Sequence, residues 1–418
     1  MSINKDFFLD TLKYVPVKIM PALSGILTVF FLTKKNLVDV SSFVDYTFII
    51  AATLICSQII VGWVNSSVIF YYTGFKVDNE KEKFTITIST LQLLFFCVGA
   101  LVLFLVLFFT LHSFLIALIT IFSLFFQTFL TFNYSFYQAK REINFQIKAT
   151  FMQAVLQILG LLICYFFFKN SLVYFLFFLA FSYLITSMFL IFSNKNMMKV
   201  VFSNKFDFQS GLKILSYGLP VCLWFFATQI YQIGDRIFFK YFDITEQVGN
   251  YVAFRDLAVG LSGFVAMPLM FASHPIIIQL SKDENNKNSI EKLLRRNILI
   301  LSAFFFITIL IIYFFGEFLV EYIVGSKYLL TPKLMVIILI TILLGVISIY
   351  LQKGIEAKGN TILMLKVSAI VGLASVILNF FFIKKFGVTS AIYISLFSHL
   401  MYCIFVYYYS RKVFKIFI

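Results

Sequence analysis

Residues 91–110 read LQLLFFCVGALVLFLVLFFT, twenty positions without a single charge. As an α-helix this stretch rises about 30 Å, the thickness of bilayer hydrocarbon. Apolar side chains fill consecutive positions instead of every second one, so a barrel strand with a polar lumen face does not fit. A helix satisfies its own backbone hydrogen bonds and is therefore the structure such a stretch can adopt in lipid. The segment reads as a membrane-spanning helix, and it sets the reading of everything around it.

Working outward, the same pattern recurs along all 418 residues. Helices are expected at about 13–33, 43–72, 85–110, 113–137, 146–168 and 172–192, then at 214–241, 249–279, 297–324, 330–351, 362–383 and 389–410. Between the two sets lies NKNMMKVVFSNKFDFQSGLK, residues 194–213. The expected fold is an all-α polytopic membrane protein of twelve transmembrane helices. It is divided into an N-terminal six-helix lobe (1–193), a cytoplasmic linker (194–213) and a C-terminal six-helix lobe (214–418). A composition of 61% hydrophobic and 13% charged residues cannot be wrapped around a water-facing surface. The N-terminal MSINKDFFLDTLKYVP is polar and lacks a cleavage-site pattern, so the first apolar segment is expected to be retained.

The 34 lysines and arginines sort unevenly across the expected loops. Lys76, Lys81, Lys83, Lys140, Arg141, Lys195, Lys199, Lys205, Lys213, Arg295 and Arg296 fall on one side, which the positive-inside rule makes cytoplasmic. Both termini then face the cytoplasm, and the protein is expected in the cell inner membrane. The net charge of +15 reads as topology plus attraction to anionic membrane lipids, with no nucleic-acid patch. The five cysteines sit in apolar runs without motif spacing and read as small buried hydrophobes.

The halves also resemble each other. LKYVPVKIMPALSGI from Leu12 parallels ILSYGLPVCLWFFATQI from Ile214, and VDYTFII from Val44 parallels GNYVAFR from Gly249. Gln138-Ala139-Lys140 and Lys148 recur as Glu356-Ala357-Lys358 and Lys366. Six helices per repeat make the repeats parallel, related by a pseudo-twofold along the membrane normal with a central cleft between the lobes.

The segment YGLPVCLWFFATQIYQIGDRIFFKYFDITEQVGNYVAFRDLAVGLSGFVAMPLMFASHPII, residues 217–277, resembles the Wzx-type oligosaccharide flippases of the multidrug/oligosaccharidyl-lipid/polysaccharide (MOP) exporter superfamily. Carrying it are Tyr217 and Pro220 in a Tyr-x-x-Pro entry to helix seven, the Asp235-Arg236 pair, and Val248, Gly249 and Tyr251 opening helix eight. EAKGNT with Asn379, Phe386 and Gly387 adds to it. The N-terminal half matches in topology but lacks an Asp-Arg pair at 28–31. The resemblance implies transfer of an undecaprenyl-pyrophosphate-linked oligosaccharide, an O-antigen or capsular repeat unit, to the periplasmic leaflet by alternating access. The sequence leaves open whether transport is coupled to a proton or sodium gradient and whether a polysaccharide polymerase is a partner.

Such a cargo needs cations in a hydrated passage, and ionisable residues inside spans are costly enough to be functional candidates. Arg236 and Arg255 come first, with Asp235 and Asp256 beside them. As antiparallel helices meeting at a short outer turn, the two pairs would share one depth. They would then either cancel as a cross-helix ion pair or offer guanidinium forks to a diphosphate. Lys18 lies between Pro16 and Pro21, lining a cavity or snorkelling to the boundary. Lys148 and Lys366 are candidates for a cationic ring at the inner mouth, although positive-inside placement also explains them. Asp45, at the start of helix two, reads as a capping residue or a coupling-ion ligand. His399 reads as a packed, hydrogen-bonded side chain.

Enzyme chemistry finds little here. There is no G-x-x-x-x-G-K-[ST] loop, no H-E-x-x-H and no Cys/His cluster, so neither a cofactor nor a metal is implied. A membrane polymerase, ligase or glycosyltransferase on the same lipid-linked sugar would want a long outer loop to fold over the glycan. Every expected outer loop is short. A cation-coupled drug exporter of the same superfamily is the other alternative, and acidic residues deep in the first lobe would favour it.

Overall fold

In the computed structural model the described residues are 3–72, 77–140, 142–169, 171–193, 206–245, 247–280, 286–325, 330–357 and 360–414. All regular structure among them is helical. In chain order the elements are α1 (Ile3–Thr33), α2 (Val40–Ser57), a π-helical turn (Gln58–Gly62), α3 (Trp63–Ser67), a second π turn (Val68–Tyr72), α4 (Asp78–Leu111), α5 (Phe114–Lys140), α6 (Ile143–Phe167) and α7 (Leu172–Ser193). They continue as α8 (Phe208–Ile233), α9 (Asp235–Tyr241), α10 (Val248–Leu280), α11 (Lys287–Ile323), α12 (Pro332–Ala357) and α13 (Thr361–Phe414).

Ten helices among the described residues are long and apolar enough to cross a membrane. One of them, Thr361–Lys412, has 52 residues and so rises about 78 Å, enough for two passes. With the shorter apolar stretch Ile19–Thr33 of α1, twelve passes result. The break within α13 is at Gly387, whose φ of 56° and ψ of −142° place it in a region that side-chain-bearing residues avoid.

Burial follows the logic of lipid. The very apolar windows of α4 and α11 are only 17% and 11% buried, whereas the less apolar Val40–Tyr72 is 72% buried. In water that order would be reversed, because exposed Leu94, Val98, Leu101, Phe109, Phe314 and Phe318 would find no partner. Here they face acyl chains. Hydroxyl groups inside the spans are mostly satisfied by their own helix: Thr33, Thr53, Thr87, Thr186 and Ser273 each donate to the carbonyl four residues earlier.

Expected and observed helices agree in number and order but not in every boundary. α11 begins ten residues before position 297 and α4 seven before position 85, because charged first turns extend these helices past the hydrocarbon. The segment expected as one helix over 214–241 is interrupted at Gly234. A Cβ there would stand 2.2 Å from the Ile230 carbonyl oxygen.

The chain forms two compact units, Met1–Val44 with Ala227–Ile418, and Asp45–Phe226. These boundaries fall elsewhere than the lobe limits expected at 193 and 213. The reason lies in packing: α1 lies along α10, so the first span joins the elements from the end of the chain. In that first unit α10 also packs on α11 and α12, and α12 packs on α13. In the second unit α5 packs on α4, α6 and α7.

Candidate functional site

The first unit holds a buried polar cluster built from α9, α10, α12 and α13. Its centre is the Asp235 carboxylate at the start of α9, placed there by the Gly234 interruption. The turn after α9 reverses through Asp243 and Gln247, both at positive φ (52° and 59°), and α10 returns antiparallel. Tyr251 and Arg255 stand one turn apart on the same face of α10. Both therefore reach Asp235.

The Tyr251 hydroxyl donates to Asp235 Oδ2 at 2.5 Å, the Arg236 backbone N–H donates to Oδ1 at 3.0 Å, and Arg255 Nη1 stands 3.5 Å from Oδ1. The Arg255 guanidinium also lies over the Tyr251 ring, 5.7 Å from its centroid. Arg236 crosses in the opposite sense to bond Asp256. The two Asp-Arg dipeptides thus form two crossed pairs of unequal exposure. Asp235, Arg236 and Arg255 are 5%, 4% and 6% exposed, whereas the Asp256 side chain is 37% exposed.

The pairing leaves the guanidinium donors incompletely satisfied. Arg236 Nε is buried without a hydrogen-bond partner among the described residues, and Arg255 Nη1 is buried with only its 3.5 Å ion pair to Asp235. Asp235 and Arg255 lie seven or eight residues from the turn, about 10–12 Å of helix. Donors left unsatisfied at that depth are expensive unless something polar reaches them.

A second polar tier continues from α13. His399 Nδ1 lies 2.8 Å from the Ser395 carbonyl oxygen, its ring meets Tyr231 edge-on at 5.3 Å, and Tyr231 adjoins Tyr402 at 5.4 Å. The Tyr402 hydroxyl donates to Gln352 Oε1 on α12. Asn379 Oδ1 and the hydroxyls of Ser395 and Ser398 are buried without hydrogen-bond partners among the described residues.

The structure therefore gathers four of the residues singled out from sequence: Asp235, Arg236, Arg255 and Asp256. Lys148 and Lys366 are each exposed, and each is the sixth residue of its helix, in the second and first unit respectively. Asp45 is half-buried near the start of α2, in the second unit, and makes interactions there. The backbone of Lys18 belongs to α1, and its side chain lies outside the described residues. Sequence reasoning missed Tyr251 as a ligand of Asp235 and Tyr402 with Gln352. Helical spacing carried the first signal, since Tyr251 precedes Arg255 by four residues. It also placed Lys353 in a loop, whereas this lysine is buried within α12 and paired to Glu356 at 2.6 Å. No group of three or more metal-ligating side chains occurs among the described residues.

Residues 19–281 match the model of a family described as polysaccharide biosynthesis protein. No curated protein sequence matches the chain. Among solved structures, the Vibrio cholerae MATE transporter VcmN, as a mutant, superposes with a TM-score of 0.69 at 16% identity, covering 99% of this chain and 97% of that one. A MATE protein in complex with MaL6 gives 0.68 at 12% identity, covering 99% and 97%. The lipid II flippase MurJ in an inward closed conformation gives 0.63 at 14% identity, covering 99% and 89%. At these identities the likeness is one of fold.

Proposed function

The chain belongs to the polysaccharide biosynthesis protein family, and from that premise we propose that it is a flippase for an undecaprenyl-pyrophosphate-linked oligosaccharide, an O-antigen or capsular repeat unit. It moves this cargo from the cytoplasmic to the periplasmic leaflet of the inner membrane by alternating access, with both termini cytoplasmic. It is a transporter of the Wzx type and not a polymerase, ligase or glycosyltransferase, although a polymerase consumes what it delivers.

One observation carries the reading: two arginines buried at membrane depth are incompletely satisfied, since Arg236 Nε has no hydrogen-bond partner among the described residues and Arg255 Nη1 has only its 3.5 Å ion pair to Asp235. A structural ion pair would be expected to consume its donors. A diphosphate offers the acceptors that guanidinium forks fit, and it arrives without the protein having to be rebuilt. MurJ, which shares the fold, is a lipid II flippase, which makes a lipid cargo compatible with this architecture. Lys18, Lys148 and Lys366 are proposed as further cargo contacts, and Asp235, Asp256 and Asp45 as gating or coupling groups driven by a proton or sodium gradient.

The test uses vesicles containing the purified chain and a fluorescent undecaprenyl-pyrophosphate oligosaccharide. Leaflet transfer is expected to fall in Arg236→Ala, Arg255→Ala and Lys18→Ala. Wild-type transfer in all three would overturn the assignment.

A further inference from the structure

Among the described residues of the second unit, no Asp, Glu, Lys or Arg stands in the middle of a span to match the cluster of the first, yet the unit holds a different oddity. α5 runs from Phe114 to Lys140, and Gln127 is its central residue, about 20 Å from either end. An amide at the centre of a span is costly unless it is partnered. Gln127 makes no side-chain hydrogen bond among the described residues. Ser123, one turn earlier on the same face, is 8% exposed and likewise uncommitted. Neighbouring hydroxyls behave otherwise: Thr120 donates to the Ile116 carbonyl at 2.8 Å and Thr53 to the Ile49 carbonyl at 2.7 Å.

Both free groups face a cavity of about 140 Å³ between α2, α5 and α7, wholly within this unit. Its opposite walls are apolar, with Leu54 from α2 and Leu176 from α7, and Tyr183 contributes a ring and hydroxyl. An engineered cavity of ~150 Å³ accepts benzene, so this space takes the ring of a six-membered ligand only if the ring's substituents project through the side of the cavity that is open.

The lining selects the ligand's chemistry. No charged residue lines the cavity, so an ion or a phosphate would sit there without a counter-charge. A hydrocarbon chain would leave the Gln127 amide and the Ser123 hydroxyl unpartnered in an apolar medium. What fits is an uncharged ring with donors and acceptors along one edge and C–H groups on its face. We propose that this cavity is a subsite for one neutral pyranose ring of the cargo's glycan. The proposal rests on the flippase reading for the origin of the ring, but the chemistry of the pocket stands on its own residues.

The experiment uses the full chain in nanodiscs and two probes. The first is methyl N-acetylglucosaminide, followed by saturation-transfer NMR. Binding to wild type is expected, with affinity lowered about fivefold or more in Gln127→Leu and Ser123→Ala, each of which removes one hydrogen-bonding group. Leu54→Phe, which fills the cavity from its apolar wall, is expected to abolish the signal, while Thr110→Val, on α4 and outside the cavity, leaves it unchanged. No saturation transfer to wild type, or equal transfer to all variants that elute as folded monodisperse protein, overturns the proposal; water alone then occupies the space. The second probe is undecaprenyl pyrophosphate with and without one N-acetylglucosamine. Wild type is expected to bind the sugar-bearing form more tightly, and Gln127→Leu to erase that difference. If the glycoside binds and neither lipid does, the flippase reading fails while the subsite holds.

Discussion

Removing Arg255 alone and removing it together with Asp235 should have non-additive consequences for stability and the same consequence for transport. In Arg255→Gln the Asp235 carboxylate, 5% exposed, loses its nearest guanidinium and keeps only the Tyr251 hydroxyl and one backbone N–H. Breaking a buried pair from one side costs about 3–5 kcal/mol, because the surviving charge stays buried. Neutralising both, in Asp235→Asn/Arg255→Gln, removes the orphan. The double variant is expected to recover about 2 kcal/mol or more relative to the sum of the singles, a coupling measurable by a double-mutant cycle in a denaturant titration of the micellar protein. Leaflet transfer should not recover with it. A lost charge-assisted contact to a diphosphate is worth about 1.5–3 kcal/mol, which is ~10- to 150-fold in cargo affinity. Additive stabilities would refute the description of the pair. Restored stability accompanied by wild-type transfer would reduce the arginines to internal counter-ions and refute the cargo-binding role.

Three further outcomes follow from local geometry. Tyr251→Phe removes the 2.5 Å donor to Asp235 and should destabilise by about 1–3 kcal/mol, read in the same titration; an unchanged midpoint would show that the hydroxyl is not supporting the carboxylate. Gly387→Ala puts a Cβ on a residue at φ 56° and ψ −142° and should cost about 1–3 kcal/mol and alter cysteine labelling at the break in α13, whereas wild-type labelling and stability would mean that the break tolerates side chains. Asp39, outside the spans, accepts hydrogen bonds from Ser42 and Ser41 that hold its carboxyl below the usual value, and Asp207 is lowered in the same way, first by Ser210. Because the folded form is the more acidic, their contribution is fully present above the unfolded value of ~3.9 and is lost as pH falls below it through the lower folded value. An acid titration in Asp39→Ala should therefore be flatter below about pH 4 than in wild type, and superimposable curves would contradict the capping role.

How much of this was legible beforehand depends on the range of the interaction concerned. The spans follow from runs such as residues 91–110, because burial in lipid is decided by composition over about 20 residues and hardly by tertiary contacts. The crossed pairs around Asp235 were legible too. Two Asp-Arg and Arg-Asp dipeptides at equal distance from a short turn must meet if the helices are antiparallel, and Arg236 reaches Asp256 while Arg255 faces Asp235. The compact units are a different matter from the lobes read from the repeats. Internal resemblance points to halves divided near 194–213, whereas the compact units divide after Val44 and Ala227 begins the second stretch of the first. Repeat patterns record which segments are alike, but packing of α1 on α10 is a long-range fact with no local trace.

The same distinction explains why the neutral stripe on α5 escaped notice while the charged pairs did not. A charge inside a span stands out in any reading because its desolvation is severe wherever it points. A glutamine or serine is tolerated by satisfying itself on its own helix, and most polar residues here do so, as Asn133 does by donating to the Phe129 carbonyl at 2.8 Å. Only the set of hydrogen bonds actually formed separates Asn133 from Gln127. The spacing of Thr120, Ser123 and Gln127 places them on one face, yet that face becomes meaningful only when α2 and α7 stop short of filling it. The charged cluster is thus written in residue type. The neutral cavity is written in packing that leaves two polar groups uncommitted at the middle of α5.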